Sequence, residues 1–179
     1  MKQIFSEEDI GRILDRIAYE IVERCTPVET IGMLGIRTRG MCMAERLLAR
    51  IASITGITPP MGVLDITLYR DDLESIPLAP VVRGTDIPYD MDNKTIVLVD
   101  DVLYTGRTIR AALDQIMDFG RPKKVVLAVL IDRPGRELPI QADFVGNQVH
   151  LPGRGEQVAV HMKEVDNEDG VFLERSTSG

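Results

Sequence analysis

The chain has 179 residues, 44% of them hydrophobic, which suffices for one ordinary domain with an aliphatic core. Its net charge of −7, with both signs mixed along the chain, excludes a global field drawing it to nucleic acid or an anionic membrane; only local basic patches remain. No window approaches ~18 apolar residues and the stretch from Met1 to Asp9 is no apolar leader, so a soluble, cytoplasmic protein with no membrane partner is expected.

Ser6 followed by Glu7, Glu8 and Asp9 reads as a helix cap with acids in the first turn. Ile10, Ile13, Leu14, Ile17 and Ile21 then recur on one face as far as Arg24. The other face carries Arg12, Arg16, Tyr19, Glu20 and Glu23, which by pattern alone is a solvated face. Cys25 and Cys42 show no C-x-x-C spacing, and His150 and His161 are far from both, so reduced, buried or half-buried thiols are expected.

Ile31 to Ile36 has the apolar run of a buried strand and ends at Arg37-Thr38-Arg39-Gly40, before a helix from about Met41 to Ile54. Two arginines and a hydroxyl beside a glycine can clamp a polyanion through bidentate bonds, although the tetrapeptide alone is equally an ordinary strand-helix turn. Val63 to Tyr69 alternates, with Leu64, Ile66 and Leu68 on one side and Asp65, Thr67 and Tyr69 on the other. An aspartate within such a strand calls for a polar partner. From about 70 to 93 there is no periodicity, and Pro77, Pro80, Gly84 and Pro88 fall there. Such a stretch reads as a mobile cover, with a short ribbon around Val81 and Val82.

Thr95 to Thr108 is the centre of the chain. Ile96 to Val99 reads as a buried strand that stops at Asp100 and Asp101. Thr105 and Gly106 open a helix with Ile109, Leu113, Ile116 and Met117 at helical spacing down to Gly120. The backbone N–H groups of Tyr104 to Thr108 and the positive end of that helix then suit a phosphate. Lys123 to Ile131 is a further apolar strand, ending at Asp132-Arg133-Pro134-Gly135. Ala142 to Gly146, Gln157 to Val165 and Val171 to Glu174 read as short antiparallel strands that cap the site. Strands alternating with helices predict an α/β fold with a mainly parallel sheet and ligands at the carboxyl ends of its strands. No repeat or linker divides residues 1–179, so a single domain is expected.

Adjacent carboxylates accept from hydroxyls or hold a cation, the cradle takes a terminal phosphate, and the arginine clamp takes a second polyanion. A sugar with phosphates at both ends meets all three demands. A Walker-type NTPase fits poorly, because no lysine stands where that loop needs one. A phosphoacceptor or metal-only module would use the acids, but has no need of Thr105-Gly106 or Arg39.

The stretch V-L-V-D-D-V-L-Y-T-G-R-T at Val97 to Thr108 resembles the phosphoribosyl pyrophosphate (PRPP) signature of type I phosphoribosyltransferases. Together with D-I-T-L-Y-R-D-D at Asp65 to Asp72, G-I-R-T-R-G at Gly35 to Gly40 and R-E-L-P-I at Arg136 to Ile140, it resembles the PyrR family nearly end to end. Members of that family regulate bacterial pyrimidine operons by binding leader RNA and also carry uracil phosphoribosyltransferase activity. The resemblance implies the type I phosphoribosyltransferase fold, with a mobile loop over about 70–93 and a small hood over about 133–179. It assigns Asp100 and Asp101 to the ribose hydroxyls and, through water, to Mg²⁺. The PRPP loop would be Asp100, Asp101, Val102, Leu103, Tyr104, Thr105, Gly106, Arg107 and Thr108, the last four holding the 5-phosphate. Thr38 and Arg39 would hold pyrophosphate, with Arg39 and Arg70 as catalytic cations beside the two acids. Arg133 and the backbone near Val158 would lie beside uracil, whose product is UMP.

For the leader RNA, the resemblance implies a basic concave face shared by two subunits of a homodimer or larger homo-oligomer. Arg12, Arg16, Arg136, Arg154 and Lys163 are its candidates here. The chain departs from the usual wording at Asp15, Tyr19, Gly135, Gln141 and 151–155, and each lost cation reduces the salt-dependent part of RNA binding. Asp15 alone would repel a phosphate. Three readings follow: an enzyme that is also a UMP-responsive attenuator, an enzyme without RNA regulation, and a transferase acting on another base.

Overall fold

In the computed structural model, residues 1–69, 84–151 and 155–175 are described. The expected first helix forms as α1, Glu7–Arg24. The Ser6 hydroxyl accepts the Asp9 N–H and the Asp9 carboxylate accepts the Ser6 N–H, so two otherwise orphaned donors are satisfied at its start. Strand β2, Ile31–Ile36, is buried throughout and leads into α2, Arg39–Thr55. The helix begins two residues before the expected Met41 because Gly40 belongs to its first turn, pressed against the central strand.

Strand β3 is only Met61–Leu64, which corrects the expected strand to Tyr69. The Asp65 carboxylate accepts both the N–H and the hydroxyl of Thr67, and that local bonding turns the chain out of the sheet into a 3-10 turn at Thr67–Tyr69. Leu68 is consequently exposed. The expected ribbon at Val81 and Val82 lies outside the described residues. Residues 84–93 are anchored rather than free: Asp86 bridges Val63, Met91 is buried, and the Tyr89 hydroxyl donates to the Met33 carbonyl at 2.9 Å.

Strand β4, Thr95–Leu103, runs through both acids instead of stopping at them. The Asp101 N–H donates to the Asp100 carboxylate and the Val102 N–H to the Asp101 carboxylate. Across this pair the alternation shifts by one position. Val97, Val99 and Val102 pack on the α1–α2 side, whereas Ile96, Leu98 and Leu103 pack on the opposite side. Helix α3, Arg107–Phe119, covers that opposite side with Ile109, Ala111, Ala112 and Ile116. Met117, expected on the buried face, is exposed. Buried Gln115 takes a place on that face and donates to the Asp65 carbonyl at 3.1 Å.

Strand β5, Lys124–Asp132, follows β4 in parallel register. Strand β6, Phe144–Gln148, also joins in parallel, correcting the expected antiparallel strand there. The connection returns along the α3 side, where Ile140 and Ala142 pack, so β6 restarts from the same end of the sheet. Among the described residues the main sheet has five parallel strands in the order β3-β2-β4-β5-β6. A second sheet is antiparallel and joins β7, Glu156–His161, and β8, Gly170–Arg175, to an unexpected N-terminal strand β1, Lys2–Phe5. Helix α4, Lys163–Asp166, lies between β7 and β8, where the chain had been expected to stay extended to Val165. Val160, Met162 and Val171 enter the same core as α1 and α2. Cys25 and Cys42 are buried free thiols, as expected. Among the described residues no helix is long and apolar enough to cross a membrane.

Candidate active site

The carboxyl ends of β2, β3 and β4 open into a cleft of about 440 Å³. Arg37, Thr38 and Arg39 form one wall, Asp65 and Thr67 a second, and Asp100, Asp101, Val102 and Thr108 a third. Parallel register explains the convergence, since every strand of the sheet ends on this side and delivers its following loop to the same edge.

Each wall is braced. The Arg37 side chain donates to the Gly84 carbonyl at 3.0 Å. The Asp65 carboxylate, besides holding Thr67, accepts the Gly84 N–H at 3.2 Å, so the polar partners expected for Asp65 are loop groups. Asp100 is buried. Burial and the adjacent Asp101 charge push its carboxyl well above the usual carboxylate range. Asp101 is more open and lies close enough to Arg39 to favour that residue's cationic form.

Arg39 is held in a fork. Its Nε and Nη2 donate to the two carboxylate oxygens of Asp166 at 3.0 and 2.7 Å. This hydrogen bonding is the main cause that raises the Arg39 pKa, with Asp101 a smaller one, and the same contact keeps Asp166 below its ordinary value. Two turns along α2, Arg46 is bound by Glu164 and Asp169. Sequence reading named Arg39 and missed Asp166, Arg46 and Gln115. The signal available was weak: arginines seven apart on one helix and an acidic run near the carboxyl end.

The loop at Thr105 turns tightly into α3, and of its expected phosphate residues Thr108 lines the cleft while Thr105, Gly106 and Arg107 are not among its lining. Gly106 has φ 91°, a conformation that favours glycine, and the Arg107 N–H donates to the Thr105 hydroxyl at 3.2 Å. The Thr105 carbonyl accepts from the N–H groups of Glu137 and Leu138, and the Arg107 side chain pairs with Glu137 at 2.6 Å. Leu103, one of the expected PRPP residues, is a core side chain. Any role in the site is therefore through its backbone, and its carbonyl already accepts the Arg133 N–H at 3.0 Å.

Arg133 lies over the exposed Tyr104 ring at 3.8 Å, and its Nε is a buried donor with no partner among the described residues. Val158, on β7, is half-buried against the core on the α1–α2 side, as is Val102. Among the described residues no group of three or more His, Cys, Asp or Glu side chains forms a metal cage. Two carboxylates at a polar cleft suit Mg²⁺ that arrives on phosphate oxygens and keeps its waters.

Of the expected RNA residues, Arg12 and Arg16 lie one turn apart on α1 and Arg136 follows β5. Arg12 is exposed and pairs with Asp9 and Glu8. Arg16 spans Glu20 and the Val145 and Gly146 carbonyls. Arg136 spends its donors on Ile140, Tyr104 and Asp132 at 2.7 to 2.8 Å, a brace for the loop at Thr105. Arg70 and Arg154 lie outside the described residues. Asp15, expected to repel phosphate, pairs with Arg50 at 2.7 Å, which offsets that repulsion.

The parallel sheet with the acid pair, the start of α3 and the arginine loop at one edge is that of a phosphoribosyltransferase, since the phosphoribosyl transferase domain model matches residues 1–160. The solved hypoxanthine phosphoribosyltransferase of Trypanosoma cruzi shares the fold at a TM-score of 0.70 with 17% identity, covering 98% of this chain and 97% of that one. A Bacillus anthracis hypoxanthine-guanine phosphoribosyltransferase superposes at 0.68 with 19% identity over 83% and 84%. Among curated relatives, the bifunctional protein PyrR of Roseiflexus sp. strain RS-1 is 56% identical across 99% of this chain and 97% of its own length. That of Pelotomaculum thermopropionicum is 54% identical across 96% and 94%. The chain belongs to the PyrR family of phosphoribosyltransferases.

Proposed function

We propose that the protein converts uracil and PRPP to UMP and pyrophosphate, and that it also regulates pyrimidine genes by binding their leader RNA in response to UMP. The observation that carries the transferase reading is the cleft itself, which the acid pair and Thr108 line together with the loop of Thr38 and Arg39. In this reading Asp100 and Asp101 take the ribose hydroxyls, Thr105 to Thr108 the 5-phosphate, and Thr38 and Arg39 the pyrophosphate. Uracil, beside Arg133 and the backbone near Val158, attacks the anomeric carbon as pyrophosphate leaves, with inversion. Arg39 and Arg70 offset the charge that builds on the leaving group, and Mg²⁺ travels with PRPP. The working compartment is the cytoplasm, and the working state a homodimer or larger homo-oligomer.

Supplying uracil, guanine and hypoxanthine in turn, with PRPP and Mg²⁺, gives UMP as the dominant product. A purine nucleotide as the main product assigns another base and overturns the uracil reading.

The regulatory reading is supported by the bifunctional PyrR relatives, 56% and 54% identical over nearly the whole chain. Titration with a pyrimidine leader RNA shows binding that UMP strengthens and that falls log-linearly with salt. Binding indifferent to both UMP and salt removes the regulatory role.

A further inference from the structure

The Arg39–Asp166 contact joins the antiparallel unit to the cleft. Asp166 closes α4, and its Oδ2 accepts the Met162 N–H at 2.8 Å as well as the Arg39 Nε, so the carboxylate is oriented from its own side before it meets the arginine. The backbone that carries it is pinned to α2 separately. Arg46 grips Glu164 and Asp169 on either side of Asp166, and the Asp169 carboxylate also accepts the Lys163 N–H at 2.7 Å. Arg39 and Arg46 lie two turns apart on α2, so the segment from Lys163 to Asp169 is tied to the start of that helix at two points.

The fork uses the Nε–Nη2 edge of Arg39. Nη1 has no hydrogen-bond partner among the described residues, and the side chain lines the cleft with Asp101 near it. An arginine left to itself has several rotatable bonds to immobilise when it meets an anion, whereas one already locked by a carboxylate meets it with that cost removed. We infer that Asp166 is a positioning residue for the pyrophosphate group: it locks the Arg39 guanidinium by its Nε–Nη2 edge so that Nη1 remains to bind the leaving group. This rests on the transferase reading given above. The opposite role is also chemically definite. A carboxylate that competes with pyrophosphate for Arg39 would weaken binding, and its removal would strengthen it.

The two roles separate in a direct titration of the full chain with inorganic pyrophosphate and Mg²⁺, compared with UMP, which carries no pyrophosphate. Asp166→Asn keeps an acceptor and the side-chain volume, and Asp166→Ala removes both. Each variant weakens pyrophosphate binding and raises the KM for PRPP, Asp166→Ala by about 10-fold and Asp166→Asn by less, while UMP affinity stays near wild type. In the Arg39→Ala background, Asp166→Ala adds nothing further, because the arginine through which it acts is gone. Glu164→Gln loosens the same segment without touching Arg39 and leaves pyrophosphate affinity in place.

Unchanged or tighter pyrophosphate binding in both Asp166 variants overturns the inference. Equal losses for UMP and pyrophosphate, or a Glu164→Gln variant that matches Asp166→Ala, overturn it in favour of general loosening. A wild-type chain that binds neither PRPP nor pyrophosphate refutes the transferase reading, and this inference with it, whereas wild-type binding with insensitive variants refutes the inference alone.

Discussion

Asp101→Asn and Arg39→Ala each lower UMP formation at least ~10-fold, equivalent to about 1.4 kcal/mol of transition-state stabilisation. The two replacements remove opposite charges from facing walls of the cleft. Asparagine at 101 retains an oxygen for the Val102 N–H, which the carboxylate accepts at 2.8 Å, so the strand keeps its local bonding and loses only the charge. Alanine at 39 strips the guanidinium, and the KM for PRPP rises with the fall in rate. Steady-state assays with varied PRPP decide the matter; wild-type activity in both variants removes these residues from the reaction.

Asp100→Asn should part activity from stability at the same strand end. The Asp100 carboxyl is buried beside Asp101, and its pKa lies well above that of an unfolded-state carboxyl. The sign follows directly. A raised acid favours the folded protein below the unfolded pKa, and that contribution is lost as pH rises through the folded value. At neutral pH a neutral amide in its place therefore raises Tm, with a smaller gain toward acid, while UMP formation falls. A lower Tm at pH 7 than wild type would contradict this account of the buried charge.

Gly40→Ala destabilises the protein by about 1–3 kcal/mol. A Cβ at this position would lie 2.5 Å from the Val99 carbonyl oxygen and 3.1 Å from the Asp100 Cα, both backbone atoms of the central strand. Neither can move aside as a flexible side chain would. The start of α2 must then withdraw from β4, and Arg39, the preceding residue, withdraws with it. Thermal unfolding shows the loss as a drop of roughly 2–4 °C per kcal/mol, and the KM for PRPP rises in the same variant. Gly11→Ala is the control. It lies within α1 with nothing within 4 Å of the added carbon, so the higher helix propensity of alanine leaves Tm equal or higher. Equal effects from the two substitutions would show that the close approach at Gly40 carries no special cost.

Where local patterning reports burial, the chain is legible. The isoleucines of α1, the unbroken apolar runs of β2 and β5, and the D-D and T-G-R-T wording placed the parallel sheet, both principal loops and the acid pair at its edge. Two failures share a cause. Asp65 ended β3 early because a side chain competed with the ladder for backbone donors. The carboxylates of Asp100 and Asp101 took the next N–H groups and shifted the side-chain alternation within a strand that nevertheless continued.

Periodicity reports the environment along one element and says nothing of which element lies beside it. From local patterning came the α/β class and the acid pair before a helix start, because caps, apolar spacing and turn chemistry act over a few residues; PRPP came from the resemblance of Val97 to Thr108 to a family signature. The parallel direction of β6, the recruitment of β1 and the fork between Arg39 and Asp166, 127 residues apart, came from folding. They depend on the order in which strands enter the sheets and on side chains distant in sequence, as where Arg39 and Arg46 hold α4 and the turn after it against α2.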